Sequence, residues 1–284
     1  MGALSLPQFI DLVVGGLVIG CVYNIIHFAQ GEVMMLGCMC GLTSLWLLPA
    51  LPLPVVIAVG MVSSGLIAVA MELAVYRTLR RRRVPIMNII TATVGMSILC
   101  INAARIIWGS EPLRFPELFA TSAYEFGGVR ISPQLFWIMV MGVAIMGALQ
   151  LFLKHTPTGL AMQAVAQDQE AAQLMGANLT RMMAYTFAIS GMMAGAAGIM
   201  LGSMFFAFFE MGFITGLKGF VAATLGGLGS IAGAMLGGIL FGLMEAFSTV
   251  FLSSAYKDGI GMILLIAILL VLPSGLVGLW HKRR

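Results

Sequence analysis

Polar positions are so sparse along this chain that its organisation is set by where the apolar runs stop. A membrane-crossing helix needs about 20 mostly apolar residues. Such runs occupy 9–28, 31–49, 55–76, 86–107, 133–153, 182–208 and 259–272. A glycine-rich region, 216–252, is too long for one upright helix. It predicts a short or re-entrant helix followed by a full one, for about eight spans in all. The fold class expected is all-α: a polytopic transmembrane bundle in one domain, 1–284.

One segment breaks this pattern. Residues 154–181, KHTPTGLAMQAVAQDQEAAQLMGANLTR, form the longest polar run in the second half. Leu160, Ala164, Ala171, Leu174 and Met175 recur near a helical period, with Gln163, Gln167 and Glu170 set around them. Thr158 is suited to cap this helix, Gly176 to end it in the left-handed conformation, and Thr180 to cap the next. A short amphipathic helix held between two spans is a part that touches another protein.

Composition agrees with the pattern. The chain has 284 residues, is 60% hydrophobic and 9% charged, and has a mean hydropathy of +1.03. A soluble domain carries about 25% charged residues, so this chain cannot cover a surface in water. The net charge of +4 says little about nucleic acid, because its basic residues cluster in short loops: Arg77 with Arg80, Arg81, Arg82 and Arg83; Lys154 and Arg181; Lys282, Arg283 and Arg284. Three spans, then two, put the first two clusters on one side, and an even number of spans after residue 181 would put the third there as well. The positive-inside rule makes that side the cytoplasm, so 154–181 and the C-terminus are expected there. The loop 108–132 is expected outside, with Glu111, Glu117 and Glu125 offsetting Arg114 and Arg130. The start of the chain lacks the basic region of a cleavable leader, so its first run is expected to stay as a span. Cys21, Cys38, Cys40 and Cys100 lie in apolar segments without metal-site spacing, which predicts reduced thiols.

Glycines recur every fourth residue at Gly191/Gly195 and Gly198/Gly202. Gly229, Gly233 and Gly237 repeat the spacing, with Gly238 and Gly242 beside them. Such rows let helices approach closely in lipid. They serve packing within the chain, a subunit interface, or the lining of a path. Ionisable groups inside spans are the default functional candidates. Asp11, Glu72 and Arg105 fall near span ends and are expected at the interface. Glu245 has no charge near it in sequence, so it faces a wet cavity or pairs with another helix. His27, Gln30 and Glu32 form the densest polar group near a span boundary. Asn24 and Gly31 predict a helix break there, which either exposes backbone to a substrate or is structural only. No Ser-His-Asp set, HExxH pair or Walker loop is present, and no enzyme or metal chemistry is expected. A chain of acids for proton relay is missing as well.

Glu170-Ala171-Ala172, three residues, then Gly176 resembles the EAA loop of bacterial ATP-binding-cassette importer permeases, although no Ile-x-Leu-Pro follows it. The surrounding sequence is similar to permeases of the branched-chain (hydrophobic) amino acid uptake family. The resemblance is carried by TGLAMQAVAQDQEAAQLMGANLTRMMAYTFAISGMMAGAAGIMLG, GLKGFVAATLGGLGSIAGAMLGGILFGLMEAF and HFAQGEVMMLG. His27 stands where the family has Asn, and Gln30 where it has His. About a dozen apolar residues usual before this element are lacking, which shortens the first helix to a length that just crosses ~30 Å.

The resemblance implies an inner-membrane importer. Its parts are two cytoplasmic ATPases carrying ATP and Mg, a second permease subunit (a paralogue or a second copy), and a periplasmic substrate-binding protein. This chain itself would bind no cofactor. Asp168, Glu170, Ala171, Ala172 and Gly176 would couple to the ATPase. His27, Gln30, Gly31, Glu32 and Glu245 are candidates for the substrate path. A secondary carrier working without an ATPase and a non-transporting scaffold are the alternatives from other classes.

Overall fold

The computed structural model describes residues 27–82, 84–116, 124–126, 129–131, 133–227 and 231–251, with isolated positions at 259, 263 and 266. The run at 9–26, Asp11, Gly229, most of 259–272 and the C-terminal basic cluster lie outside the described residues.

Proline and chain breaks set where the helices start. Helix α1 is Gln30–Leu47, and α2 is Leu53–Met71 with Pro52 at its N-cap. Helix α2 continues through a π turn, Glu72–Tyr76, into α3, Arg77–Arg81. Helix α4, Ile86–Trp108, follows Pro85; α5, Pro133–His155, opens on proline; α6, Pro157–Gln167, has proline in its first turn. Proline suits these starts because its missing N–H has no intrahelical partner there. Then come α7 Gln169–Leu174, α8 Leu179–Met204, α9 Met211–Gly226 and α10 Ile231–Phe251. The glycine-rich region divides as expected, into a shorter helix and a full one.

Among the described residues, four helical stretches are long and apolar enough to cross a membrane: Leu53–Arg81, Met87–Trp108, Phe136–His155 and Leu179–Met204. Helices α9 and α10 contribute shorter apolar segments, Met211–Gly226 and Leu236–Glu245. The structure adds an element to the loop 108–132. Tyr124–Phe126 (β1) pairs antiparallel with Val129–Ile131 (β2).

The core is built on α1 and α8. Thirteen of the eighteen residues of α1 are buried, so this helix is wrapped by protein. It runs parallel to α8: a Cβ on Gly198 would strike the Met34 carbonyl, and one on Gly202 would strike Cys38 Sγ. Helix α2 runs antiparallel to α8, with Gly191 against Ser64 and Ala68, and Gly195 against Gly60. Gly37 of α1, Gly60 of α2 and Gly195 of α8 meet at one point. A Cβ on Gly37 would lie 2.8 Å from Gly195 Cα and 3.1 Å from the Gly60 carbonyl oxygen. With no side chains there, three backbones touch. Close packing and interhelical hydrogen bonds are what associate helices where apolar burial gives little drive. Gly237 packs α10 onto α9, its Cβ position 2.8 Å from Gly226 Cα; Gly233 is buried in the same helix.

At one end, the link between α8 and α9 is held in three ways. Leu113 and Ala207 exchange backbone hydrogen bonds of 2.8 Å, Arg105 lies 5.6 Å over the Phe209 ring, and Arg114 lies 5.6 Å over Phe206. At the other end, the antiparallel run of α2 and α8 brings Arg77–Arg81 and Arg181 to the same level.

Candidate functional site

Helix α1 starts deep inside the bundle. Gln30 Nε2 donates to the carbonyl of Ser190 at 3.2 Å, and Ser97 Oγ donates to Glu32 Oε1 at 2.9 Å. Ser190 and Ser97 are each the twelfth residue of their helices, α8 and α4. At 1.5 Å per residue, that is roughly 17 Å along each, near the middle of ~30 Å of hydrocarbon. His27 to Ala29 are not helical, and no side chain caps α1.

Helix α9 begins at the same level. Gly31 and Gly212 are each the second residue of their helices, and their backbones touch: a Cβ on Gly31 would strike the Gly212 carbonyl, and Gly216 Cα would be 3.1 Å away. Two helix N-termini therefore meet at mid-depth. The free amides of a first helical turn and the positive end of the helix dipole come from both sides.

The expected polar group divides in two. His27 and Gln30 face α8 and α2. The His27 ring lies 5.2 Å from Tyr76 and 5.2 Å from Phe187, edge-on to both, and the Tyr76 hydroxyl is 3.4 Å from His27 Nδ1. Glu32 instead faces α4 and α9. Three atoms in these two groups are buried without a hydrogen-bond partner: His27 Nε2, Gln30 Oε1 and Glu32 Oε2.

Among the described residues two other acids are buried, and each has a cation. Glu245, 4% exposed, accepts a 2.7 Å bond from Lys218 of α9; of the two readings of its sequence context, pairing with another helix is the one realised. Glu72, expected near a span end, is fully buried within the protein there and paired with Arg80. The π turn is the reason. One extra residue per turn rotates the helix face, sending Glu72 and Tyr76 inward and bringing Arg80 back over the carboxylate.

Residues 154–181 form a second feature. A single helix capped by Thr158 was expected; two helices are found. Thr156 caps α6, accepting from the Gly159 amide at 3.0 Å, because Pro157 fixes the first turn one residue later. Asp168 is extended, ends α6, and caps α7 with Oδ1 accepting from Glu170 N at 2.9 Å and Ala171 N at 3.0 Å. Its carboxylate is thus engaged locally. Gly176 has φ +93° and closes α7 as expected, with Gly176 N bonded to Gln173 O at 3.0 Å and Ala177 N to Ala172 O at 2.9 Å. This paired pattern is a Schellman motif. Asn178 rather than Thr180 caps α8, accepting from Arg181 N at 3.1 Å.

The apolar stripe divides between the bundle and the outside. Met162, Val165 and Ala172 anchor the element to the bundle, whereas Leu160, Leu174 and Met175 are exposed, the last two by 89% and 90%. Glu170 and Ala171 stand exposed beside them.

Sequence reasoning missed Ser97, Ser190, Tyr76, Gly212 and Lys218. Lys218 carried a usable signal as a lone lysine in an apolar run; the serines carried none, being ordinary in spans. Among the described residues no His, Cys, Asp or Glu group is arranged to hold a metal.

Fold and site together define a polytopic helical permease, with glycine-tight seams, charged groups at mid-depth and an exposed capped element at one end. The chain belongs to the family of branched-chain amino acid transport system permease components, which matches residues 5–269. It is 35% identical over 277 residues to the high-affinity branched-chain amino acid transport system permease protein LivH of Escherichia coli, covering 90% of this chain and 87% of that one. It is 33% identical over 299 residues to the corresponding protein BraD of Pseudomonas aeruginosa, covering 95% and 96%. A probable branched-chain amino acid permease LivH of Methanocaldococcus jannaschii is 30% identical over 301 residues, covering 99% and 92%. No solved structure matches the chain.

Proposed function

We propose that this chain is the membrane-spanning subunit of an ATP-binding-cassette importer in the bacterial inner membrane, carrying branched-chain or other small hydrophobic amino acids inward. Two ATPases bind ATP and Mg on the cytoplasmic side, a second permease subunit completes the pathway, and a periplasmic binding protein delivers substrate. Residues 154–181 and the C-terminus face the cytoplasm in this reading, since Arg77, Arg80, Arg81, Arg82, Lys154 and Arg181 gather at one end.

The observation that carries the reading is the exposed apolar pair Leu174 and Met175, on a capped helix outside the spans and beside Glu170 and Ala171. An apolar surface of that kind at a polar edge marks a protein contact. The Schellman closure at Gly176 and the Asp168 cap make α7 stiff enough to pass on a push. The glycine seams between α1, α2 and α8 then let the bundle rock as packed bodies.

The test is reconstitution of the chain with its partner subunits in vesicles. Uptake of radiolabelled leucine that requires ATP and the binding protein supports the proposal. Uptake without ATP indicates a secondary carrier, and partner binding without uptake a scaffold.

A further inference from the structure

The structure points to a specific recognition group within that pathway: we propose that Glu32 binds the substrate's ammonium group at mid-depth, with the facing N-termini of α1 and α9 receiving its carboxylate. This inference rests on the importer reading and adds the chemistry of the contact.

Three acids are buried among the described residues, and two have their cation in the chain: Glu72 has Arg80 and Glu245 has Lys218. Glu32 is 0% exposed. Its Oε1 takes one hydrogen bond from Ser97, and its Oε2 has no hydrogen-bond partner. A buried acid in a membrane protein is expensive and is held by a partner or by function. A zwitterionic amino acid supplies the missing cation as an ammonium with three N–H donors.

The other end of such a ligand fits what stands beside Glu32. Its Oε2 lies over Gly212, 2.5 Å from the position a Cβ would take, in the first turn of α9. Gly31, one residue before Glu32, touches the same turn. Free amides and aligned dipoles at both helix starts favour a carboxylate, and glycine at both contact positions keeps side chains out of the way. In the present conformation the Gly31–Gly212 contact is closed, so the ligand enters when these helix starts separate. Leucine, isoleucine and valine share the ammonium and carboxylate and differ only in apolar parts, so one polar contact serves them all.

Two variants of the assembled importer test this: Glu32→Gln and Glu32→Asp, each assayed for leucine uptake and for ATP hydrolysis stimulated by loaded binding protein. Glu32→Gln keeps the size of the side chain and its bond to Ser97 but removes the charge. Uptake is expected to fall about tenfold or more, the factor for losing one charge-assisted hydrogen bond, while ATP hydrolysis continues.

Wild-type uptake by Glu32→Gln overturns the inference, as does a parallel loss of uptake and ATP hydrolysis, which would assign Glu32 a packing role. Should Glu32→Gln fail to assemble, Glu32→Asp decides. It keeps the charge but withdraws it by one methylene, so reduced uptake with intact ATP hydrolysis supports the contact and wild-type uptake refutes it. If the wild-type complex shows no ATP-dependent uptake, the importer reading itself fails.

Discussion

The sharpest test of the packing is a single methyl group placed at the three-glycine node. In Gly195→Ala the new Cβ would strike Ser64 Oγ and the Gly60 carbonyl oxygen, and would sit 2.7 Å from the Gly60 carbonyl carbon. Ordinary contact begins at 3.4 Å, so α2 and α8 must part by about 0.7 Å or more at this level. Neither Gly60 nor Gly37 has a side chain that can swing aside. A gap of 0.5–1 Å forfeits roughly a quarter to a half of the dispersion at each contact along the opened seam. Overpacking of this kind costs about 1–3 kcal/mol.

Gly147 of α5 provides the control, since nothing lies within 4 Å of its Cβ position. There the only term is helix propensity, and alanine should stabilise the isolated subunit by up to ~1 kcal/mol. The assay is reversible unfolding of each variant in mixed micelles, followed by helical circular dichroism. Opposite signs at Gly195 and Gly147 are expected. A neutral or stabilising Gly195→Ala would refute the account of the node.

Three further outcomes follow from the same geometry. Lys218→Ala leaves Glu245 buried without its cation and should destabilise the subunit by about 3–5 kcal/mol, whereas Lys218→Glu with Glu245→Lys should recover most of that loss in the same unfolding assay. Asp168→Ala removes the acceptor for two amides of α7 and should cost about 1 kcal/mol locally; faster amide hydrogen exchange confined to 169–174 would show it. Gly176→Pro combined with Glu170→Lys places a residue fixed near φ −65° where φ is +93°. It should uncouple ATP hydrolysis from uptake without preventing membrane insertion, and wild-type uptake would refute the lever role of α7.

Long-range periodicity made the spans legible. Runs at 31–49, 55–76, 86–107, 133–153 and 182–208 agree with α1, α2, α4, α5 and α8 to within a few residues, because apolar length alone specifies a membrane helix. Local chemistry was less legible. Thr158 and Thr180 each had a competitor two residues upstream, Thr156 and Asn178, and proline or chain direction decided between them. The single helix expected over 158–176 failed at Asp168, where an aspartate's preference for capping outweighed continuation of the helix. The hydrophobic stripe was legible, but periodicity shows only that a face is apolar and not what covers it. The burial of Glu72 was not legible because a π turn leaves no mark in composition.

The mid-depth centre was half visible for a related reason. His27, Gln30 and Glu32 are adjacent in sequence, which marked them together, yet Gln30 and Glu32 are two apart on a helix and therefore point to different neighbours. Their separation is what gives each a distinct partner: Ser190 on α8 for Gln30, and Ser97 on α4 for Glu32. A helix start inserted between α8, α4 and α9 thus touches three helices through three consecutive residues, Gln30, Gly31 and Glu32. Movement of any one of these neighbours alters a contact at the start of α1. Under the proposed function, helices that rock against one another would thereby change what a single substrate meets.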